Sequence, residues 1–177
     1  MAAKKTLKRD RLGIVGGKRT PFAKAWSTLG DIDPVQLSTD CVRETLFDLG
    51  LDPSEVDHIV WGTVISVPRS PNVGREIALN LNMYNTPAVT VTRACATGFE
   101  AVASACRLIM SGECDVVVAG GVDVTSAAPV PHRKEVIDTL QKAQKAKGFD
   151  LVKTITQVSP KDLFPVAPSI KIGRAHV

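Results

Sequence analysis

Seven side chains in this 177-residue chain combine nucleophilic, basic or soft metal-binding character: Cys41, Cys95, Cys106 and Cys114, with His58, His132 and His176. The gaps between successive cysteines are 54, 11 and 8 residues, and no C-x-x-C occurs. No histidine stands at zinc-ligand spacing from a cysteine, so the pattern names no metal site. Four cysteines in a chain of this length do not make a disulfide scaffold. Neither a G-x-G-x-x-G fingerprint nor a P-loop lysine is present, which leaves a nucleotide-phosphate site without support.

Cys95 has the most suggestive position. It follows a β-branched run at 88–92 (AVTVT) and precedes a helical pattern over 97–110. Reactive groups in open α/β sheets gather at the carboxyl ends of strands. A helix N-terminus adds unpaired N–H groups and the positive end of a dipole. Both favour a thiolate over a thiol. The same N–H groups suit an oxyanion on a bound carbonyl. Ala96 and Gly98 add little bulk to the approach. A packed structural cysteine at this position is the competing reading, and position alone leaves both open. The other three read as core. Cys106 lies three turns deeper on the face that Cys95 begins, at about 100° per residue. Cys114 precedes a buried strand, and Cys41 shares a helix face with Val42, Leu46 and Leu49. A cysteine nucleophile needs a base. His58 opens a strand, His132 opens a basic segment and His176 is near the end, and no pattern brings any of them to Cys95.

The elements that must position Cys95 follow from periodicity and punctuation. Residues 12–16 (LGIVG) read as a short buried strand. Residues 34–49 read as a helix, capped by Asp33, started by Pro34 and ended by Gly50. A helical turn is expected at 52–55, a strand at 58–65 and a helix at 74–81. A strand at 88–92, the helix at 97–110 ended by Gly112, and a strand at 115–119 complete the alternation. Gly120-Gly121 then reads as a tight turn or a place of close backbone approach. Strands alternating with helices imply crossovers, hence a largely parallel sheet with helices on its faces. After Pro129 the character changes. Residues 135–147 form a basic helical stretch, and 154–168 are polar with scattered proline, as expected of an inserted subdomain.

Composition agrees with a folded α/β chain. Hydrophobic residues make up 44% and charged residues 23%, enough apolar mass for a core. The longest apolar run, near 116–122, is too short to span a bilayer. Aromatics are only 5%, so the core is built from Val, Ile, Leu and Ala. The net charge of +4 is uneven: residues 1–11 hold five basic and one acidic residue, 12–131 eight and thirteen, and 132–177 nine and four. Basic segments without neighbouring aromatics argue against nucleic acid. A phosphorylated ligand, an anionic membrane surface or a solvated face fits them better. The basic start lacks a following apolar h-region, so no signal peptide is expected and the cytoplasm is the default compartment.

Val91-Thr92-Arg93-Ala94-Cys95-Ala96-Thr97-Gly98-Phe99-Glu100-Ala101 resembles the nucleophile motif of thiolases. Gly17-Lys18-Arg19-Thr20-Pro21-Phe22 resembles their N-terminal motif. The stretch from Asp115 through Gly120-Gly121-Val122-Asp123 to Ser126 resembles their fourth strand. Residues 72–76 (NVGRE) and 162–171 (DLFPVAPSIK) are most similar to the 3-ketoacyl-CoA thiolases that form β-subunits of the fatty-acid oxidation complex.

The resemblance implies an α/β, thiolase-like fold: an N-terminal βαβαβ half with helices on both faces of a mixed sheet, and the start of an α-rich loop domain. On this reading residues 1–11 are a basic tail, 12–129 the half-domain, and 130–171 the beginning of the loop domain. The C-terminal half is expected to be absent, and with it the family's base histidine, its second cysteine and the strand that completes the first sheet. Residues 172–177 (IGRAHV) depart from the family pattern and are expected to be non-native. The implied activity is thiolytic cleavage of a 3-ketoacyl-CoA through a thioester on Cys95, in fatty-acid β-oxidation. CoA and acyl-CoA are then substrates, no cofactor is bound permanently, and no CoA-contacting residue is assigned. Implied partners are a second copy, as a homodimer, and a hydratase/dehydrogenase α-subunit. A membrane-surface contact is left open, with a bacterial cytoplasm or a eukaryotic mitochondrion as the location. The competing readings are a non-catalytic assembly module that retains the half-fold, an acetyl-CoA acetyltransferase-type condensing thiolase, and a stand-alone cysteine hydrolase.

Overall fold

A computed structural model describes residues 11–129, His132 and 134–145. The chain divides into two compact units at Pro129. In the first, α1 (Pro34–Leu49) starts where the sequence requires it. The Asp33 carboxylate accepts from Val35 N at 2.7 Å and Gln36 N at 3.2 Å, and Pro34 fills the first turn. It stops at Gly50, whose φ of 63° is the left-handed conformation that ends helices. Its buried face carries Val35, Val42 and Leu46. A 3-10 turn at Pro53–Glu55 is held by reciprocal bonds between Asp52 and Glu55.

Three strands follow: β1 (His58–Gly62), β2 (Ala88–Val91) and β3 (Val117–Gly121). They form one parallel sheet in the order β2-β1-β3, with Trp61 opposite both Thr90 and Gly120. An antiparallel member, which a mixed sheet requires, is not among the described residues. α2 (Val73–Asn80) connects β1 to β2, and α3 (Thr97–Met110) carries the chain from β2 past β1 to β3. Side chains of a strand alternate between faces. Ile59 and Trp61 enter one core with Val42, Leu46, Val73 and Ile77 of α1 and α2. Val60 enters the other with Ala101 and Ala105 of α3. Ile59 and Val60 are completely buried, each contributing about 1.5–3 kcal/mol relative to exposure.

Several boundaries differ from the sequence expectation, β2 among them, which stops at Val91 where the expected strand ran to 92; four of the differences have a physical cause. Residues 12–16 are not a strand, and Ile14 is 91% exposed. A β-strand exists only by pairing its N–H and C=O groups, and this segment joins none of the three described strands. The strand expected over 58–65 ends at Gly62 because the N–H groups of Val64 and Ile65 go to the Asp123 carboxylate. The strand expected at 115–119 begins later, at Val117, because Asp57 takes the N–H groups of Asp115 and Val116. Gly120 and Gly121 therefore belong to β3 and form no turn. The helix expected at 74–81 starts one residue earlier, where the Asn72 side chain accepts from Arg75 N at 3.1 Å.

In the second unit, α4 (Lys134–Lys145) buries Val136 and Ala143 and exposes Lys134, Glu135, Asp138 and Lys142. The expectations for 1–10, 154–168 and 172–177 lie outside the described residues. Among the described residues no helix is long and apolar enough to cross a membrane.

Candidate active site

Cys95 is exposed in the short turn between the end of β2 and the first residue of α3. The turn is tightly built. Ala94 has φ 47°, a left-handed conformation that a residue with a Cβ adopts at a cost of about 1–2 kcal/mol. Strain of this kind persists where surrounding bonds over-determine the backbone. Thr97 supplies them: its hydroxyl accepts from Arg93 N at 2.7 Å and donates to Ala94 O at 2.6 Å. The N–H groups of Ala96 and Thr97 turn back onto the Arg93 and Ala94 carbonyls, both at 3.1 Å. Those two donors are consequently spent within the turn, which narrows the anion-binding capacity read from the helix start.

The turn is seated on glycines. A Cβ on Gly62 would stand 2.7 Å from the Thr97 methyl, and one on Gly121 would stand 2.8 Å from Gly62 O. At Gly120 it would meet the Trp61 ring at 2.3 Å. That ring is anchored: its Nε1 donates to Ser38 Oγ at 3.1 Å and Ser38 donates to Pro34 O at 2.6 Å. The glycine pair is thus a steric requirement of packing, on the close-approach side of the sequence reading.

Behind Cys95, Glu100 on the first turns of α3 takes ion pairs from Arg107 at 3.0 Å and from Arg93. Hydrogen bonds from Arg107, then Arg93, then Ser104 pull its carboxyl down to about 2. Arg93 is thereby tied to the helix that follows Cys95.

The remaining candidates fall elsewhere. Cys41 is half-buried, donates to Lys18 O at 3.3 Å, and burial pushes its thiol up. Cys106 is half-buried and Cys114 buried. Cys95 itself is not part of α3, so the shared helix face with Cys106 does not exist. His58 starts β1, whereas Cys95 follows the end of β2, and the two strands are parallel. The histidine and the thiol therefore belong to opposite edges of the sheet. His132 is exposed in the second unit, and His176 lies outside the described residues. Among the described residues no group of three His, Cys, Asp or Glu side chains could hold a metal.

Two hollows occupy the carboxyl edge of the sheet. One, of about 510 Å³, runs between the segments that follow β1 and β3 and the start of α1, with Ile32, Ile65, Val67, Val122 and Val124 in its walls. The other, about 360 Å³, is lined by Phe22, Cys41 and Trp61 among others. Cys95 lines neither. Ala94, Thr97 and Asp123 stand within motifs quoted from the sequence, but their structural roles, and the larger hollow, emerge only from the fold. A threonine at the first helical position, four residues after Arg93, was the available signal for the staple.

Residues 12–164 match the family described as Thiolase, N-terminal domain. The 3-ketoacyl-CoA thiolase of Photorhabdus laumondii is 38% identical over 94% of this chain and 39% of its own length. That of Vibrio cholerae is 37% identical over 94% of this chain and 39% of its own. The chain thus spans about 39% of the length of these curated relatives. Among solved structures, an acetyl-CoA acetyltransferase of Bacillus anthracis superposes with TM-score 0.59 at 31% identity, covering 62% of this chain and 28% of that one. The Acat5 thiolase of Ascaris suum, in complex with coenzyme A, superposes with TM-score 0.62 at 26% identity, covering 65% and 30%.

Proposed function

The chain belongs to the thiolase family, and from that premise we propose that it is the part of an acyltransferase that carries the nucleophile, Cys95. The reaction of the whole enzyme is cleavage of a 3-ketoacyl-CoA by CoA. The observation that carries this reading is the exposed thiol of Cys95 on a strained, doubly stapled turn at the carboxyl end of β2.

The thiolate of Cys95 attacks the 3-keto carbon, and the oxygen becomes an oxyanion. With the Ala96 and Thr97 N–H groups engaged, the Cys95 N–H is the donor we assign to it. The bond between the α and β carbons breaks, its electron pair leaves with acetyl-CoA, and a proton completes that product. The acyl group stays on Cys95 as a thioester until a second CoA thiol collects it and the cysteine is released. The base and the proton donor are assigned to the portion of the longer relatives that this chain does not span. This agrees with the placement of His58 on the opposite sheet edge. General acid–base groups each contribute about 10²–10⁴ in rate. The reading extends to a homodimeric enzyme acting with a hydratase/dehydrogenase subunit in β-oxidation, in a bacterial cytoplasm or a mitochondrion. The acetyl-CoA acetyltransferase among the solved structures supports a second reading, condensation of two-carbon units.

The test is loss of 3-ketoacyl-CoA absorbance on adding CoA to the full-length polypeptide that carries this chain. Cys95→Ala abolishes turnover, and a stalled reaction shows an acyl adduct on the Cys95 peptide. An active Cys95→Ala enzyme sinks the assignment. A folded full-length protein that neither turns over nor acylates establishes the assembly-module reading instead.

A further inference from the structure

We propose that Glu100 is a positioning residue: through Arg93 it fixes the peptide between Ala94 and Cys95, so that the Cys95 N–H faces the oxyanion formed on the carbonyl that Cys95 attacks. The inference rests on the thiolase reading and goes beyond it, since neither the family match nor the relatives' names assign a role to Glu100 or Arg93.

The peptide plane comes first. A trans peptide carries its C=O and its N–H on opposite sides. The Ala94 carbonyl accepts from the Thr97 hydroxyl at 2.6 Å and from Thr97 N at 3.1 Å. Both bonds draw that oxygen back onto α3, so the Cys95 N–H of the same peptide is turned away from the helix. Ala94 sits at φ 47°, a conformation that a residue with a Cβ leaves unless it is held there. The plane therefore lasts only while the turn is clamped on both sides. Thr97 clamps one side through a single hydroxyl, which also accepts from Arg93 N at 2.7 Å. That bond depends in turn on where Arg93 is held.

Arg93 is held by its side chain. Thr97, Glu100, Ser104 and Arg107 are spaced three, four and three residues apart, which places them along one stripe of α3. The first takes the main chain of Arg93 and the second its guanidinium. The other two aim the carboxylate: Arg107 donates to Glu100 Oε1 at 3.0 Å and Ser104 to the same oxygen at 3.1 Å. Oε2 is left for Arg93. Arg107 also donates to Ser104 Oγ at 3.1 Å, which closes the set. Glu100 is the enclosed member, 18% exposed against 67% for Arg93 and 62% for Arg107. Its carboxyl, held at about 2, is ionised at any pH near neutrality. The pair is thus a tether with one end fixed on the helix. Removing it frees the long Arg93 side chain and the start of the turn together.

The experiment is a double-mutant cycle on the full-length polypeptide that carries this chain, with a 3-ketoacyl-CoA and CoA as substrates. Glu100→Gln keeps the size of the side chain and removes its charge. Its kcat falls about 10–100-fold, as when a reacting group is slightly displaced, while KM stays within about twofold because the lost contact acts only in the transition state. Arg93→Ala does the same, and adding Glu100→Gln to Arg93→Ala costs nothing further in kcat. Arg93→Lys, which keeps a cation within reach of Glu100, recovers most of the rate. A merely structural role gives the opposite pattern: the loss follows the folded fraction and persists in the Arg93→Ala background, where the bonds to Arg107 and Ser104 remain. The plane itself is read from the Cys95 amide resonance in protein isotopically labelled at cysteine nitrogen, identified by its disappearance in Cys95→Ala. It shifts in Glu100→Gln and in Arg93→Ala, and the double variant coincides with Arg93→Ala. Additive losses, an unmoved kcat in Glu100→Gln, a loss carried by KM or an unmoved Cys95 amide each overturn the positioning role while leaving Cys95 as nucleophile. Absence of turnover in the unaltered protein sinks the thiolase reading instead, and the hold of Glu100 on the peptide is then decided by the amide resonance.

Discussion

Asp57 and Asp123 grip the β1–β3 pair from opposite ends. Asp57, just before β1, accepts from the N–H groups of Asp115 and Val116 at 2.7 and 2.9 Å, just before β3. Asp123, just after β3, accepts from Val64 and Ile65, just after β1. Each carboxylate thus terminates the neighbouring strand and fixes where its ladder starts or stops.

Removing one grip has a local and a global consequence. Asp123→Ala lowers stability by about 1–2 kcal/mol, the lower part of the range for charge-assisted bonds because the freed N–H groups reach water. Amide exchange accelerates at Val64 and Ile65 before it does elsewhere. Asp123→Asn, which keeps an acceptor oxygen, recovers most of the loss. Unchanged exchange at those two amides in Asp123→Ala contradicts the role.

Among the four cysteines, Cys95 is expected to alkylate first. It is the exposed one, whereas Cys114 is buried, Cys106 half-buried, and Cys41 has a thiol pushed up by burial. Limited iodoacetamide treatment of the folded protein followed by peptide mapping reads the order. Preferential labelling of Cys41 or Cys106 is the contrary result.

Thr97 separates two contributions that a single substitution would merge. Thr97→Val keeps the methyl above Gly62 but leaves Arg93 N and Ala94 O without their partner, costing about 1–3 kcal/mol. Thr97→Ser keeps both bonds and loses only the methyl contact. The valine variant is therefore the more destabilised of the two in urea, and its Cys95 alkylates at an altered rate. Serine proving worse than valine would place the weight on packing instead.

Glu100 gives the acid limb a signature. Its carboxyl ordinarily titrates at 4.5 and is held at about 2, chiefly by Arg107 and then Arg93. A folded value below the unfolded one contributes stability that is fully present above the unfolded value and fades as pH falls toward the folded one. The stability difference between the unaltered protein and Glu100→Gln is thus constant above about pH 5, shrinks between 4.5 and 2, and vanishes below. Equilibrium unfolding at stepped pH measures it. A difference that persists unchanged at pH 2 removes the ion pairs as its source.

Local signals were legible wherever one residue type decides the outcome. Asp33, Pro34 and Gly50 delimit α1 at 34–49 in both the sequence and the structure, because capping is a matter of adjacent residues. The end of α3 was readable from Gly112, whose φ is 76°, whereas its start carries no side-chain cap and was read from periodicity. Strand ends were not, because carboxylates some 58–60 residues distant decide them. Residues 12–16 show the same limit from the other side: β-branched, apolar sequence states a preference, and pairing decides the result. At the site, the thiol was visible as a type in a position. The hydroxyl that holds its turn, and the glycines under it, became visible only as contacts.

The middle strand counts in twos. Within β1, Ile59 and Trp61 point to α1 and α2 while Val60 points to α3. A one-residue insertion before Ile59 would carry the indole to the face where Ala101 and Ala105 leave it no room, and would put a small side chain where the ring now fills space. A two-residue insertion would preserve the facing and displace only the ends. Length variation in this strand is therefore admissible by parity, and a comparison of one- and two-residue insertions turns an alternation of side chains into a rule about which lengths can fold.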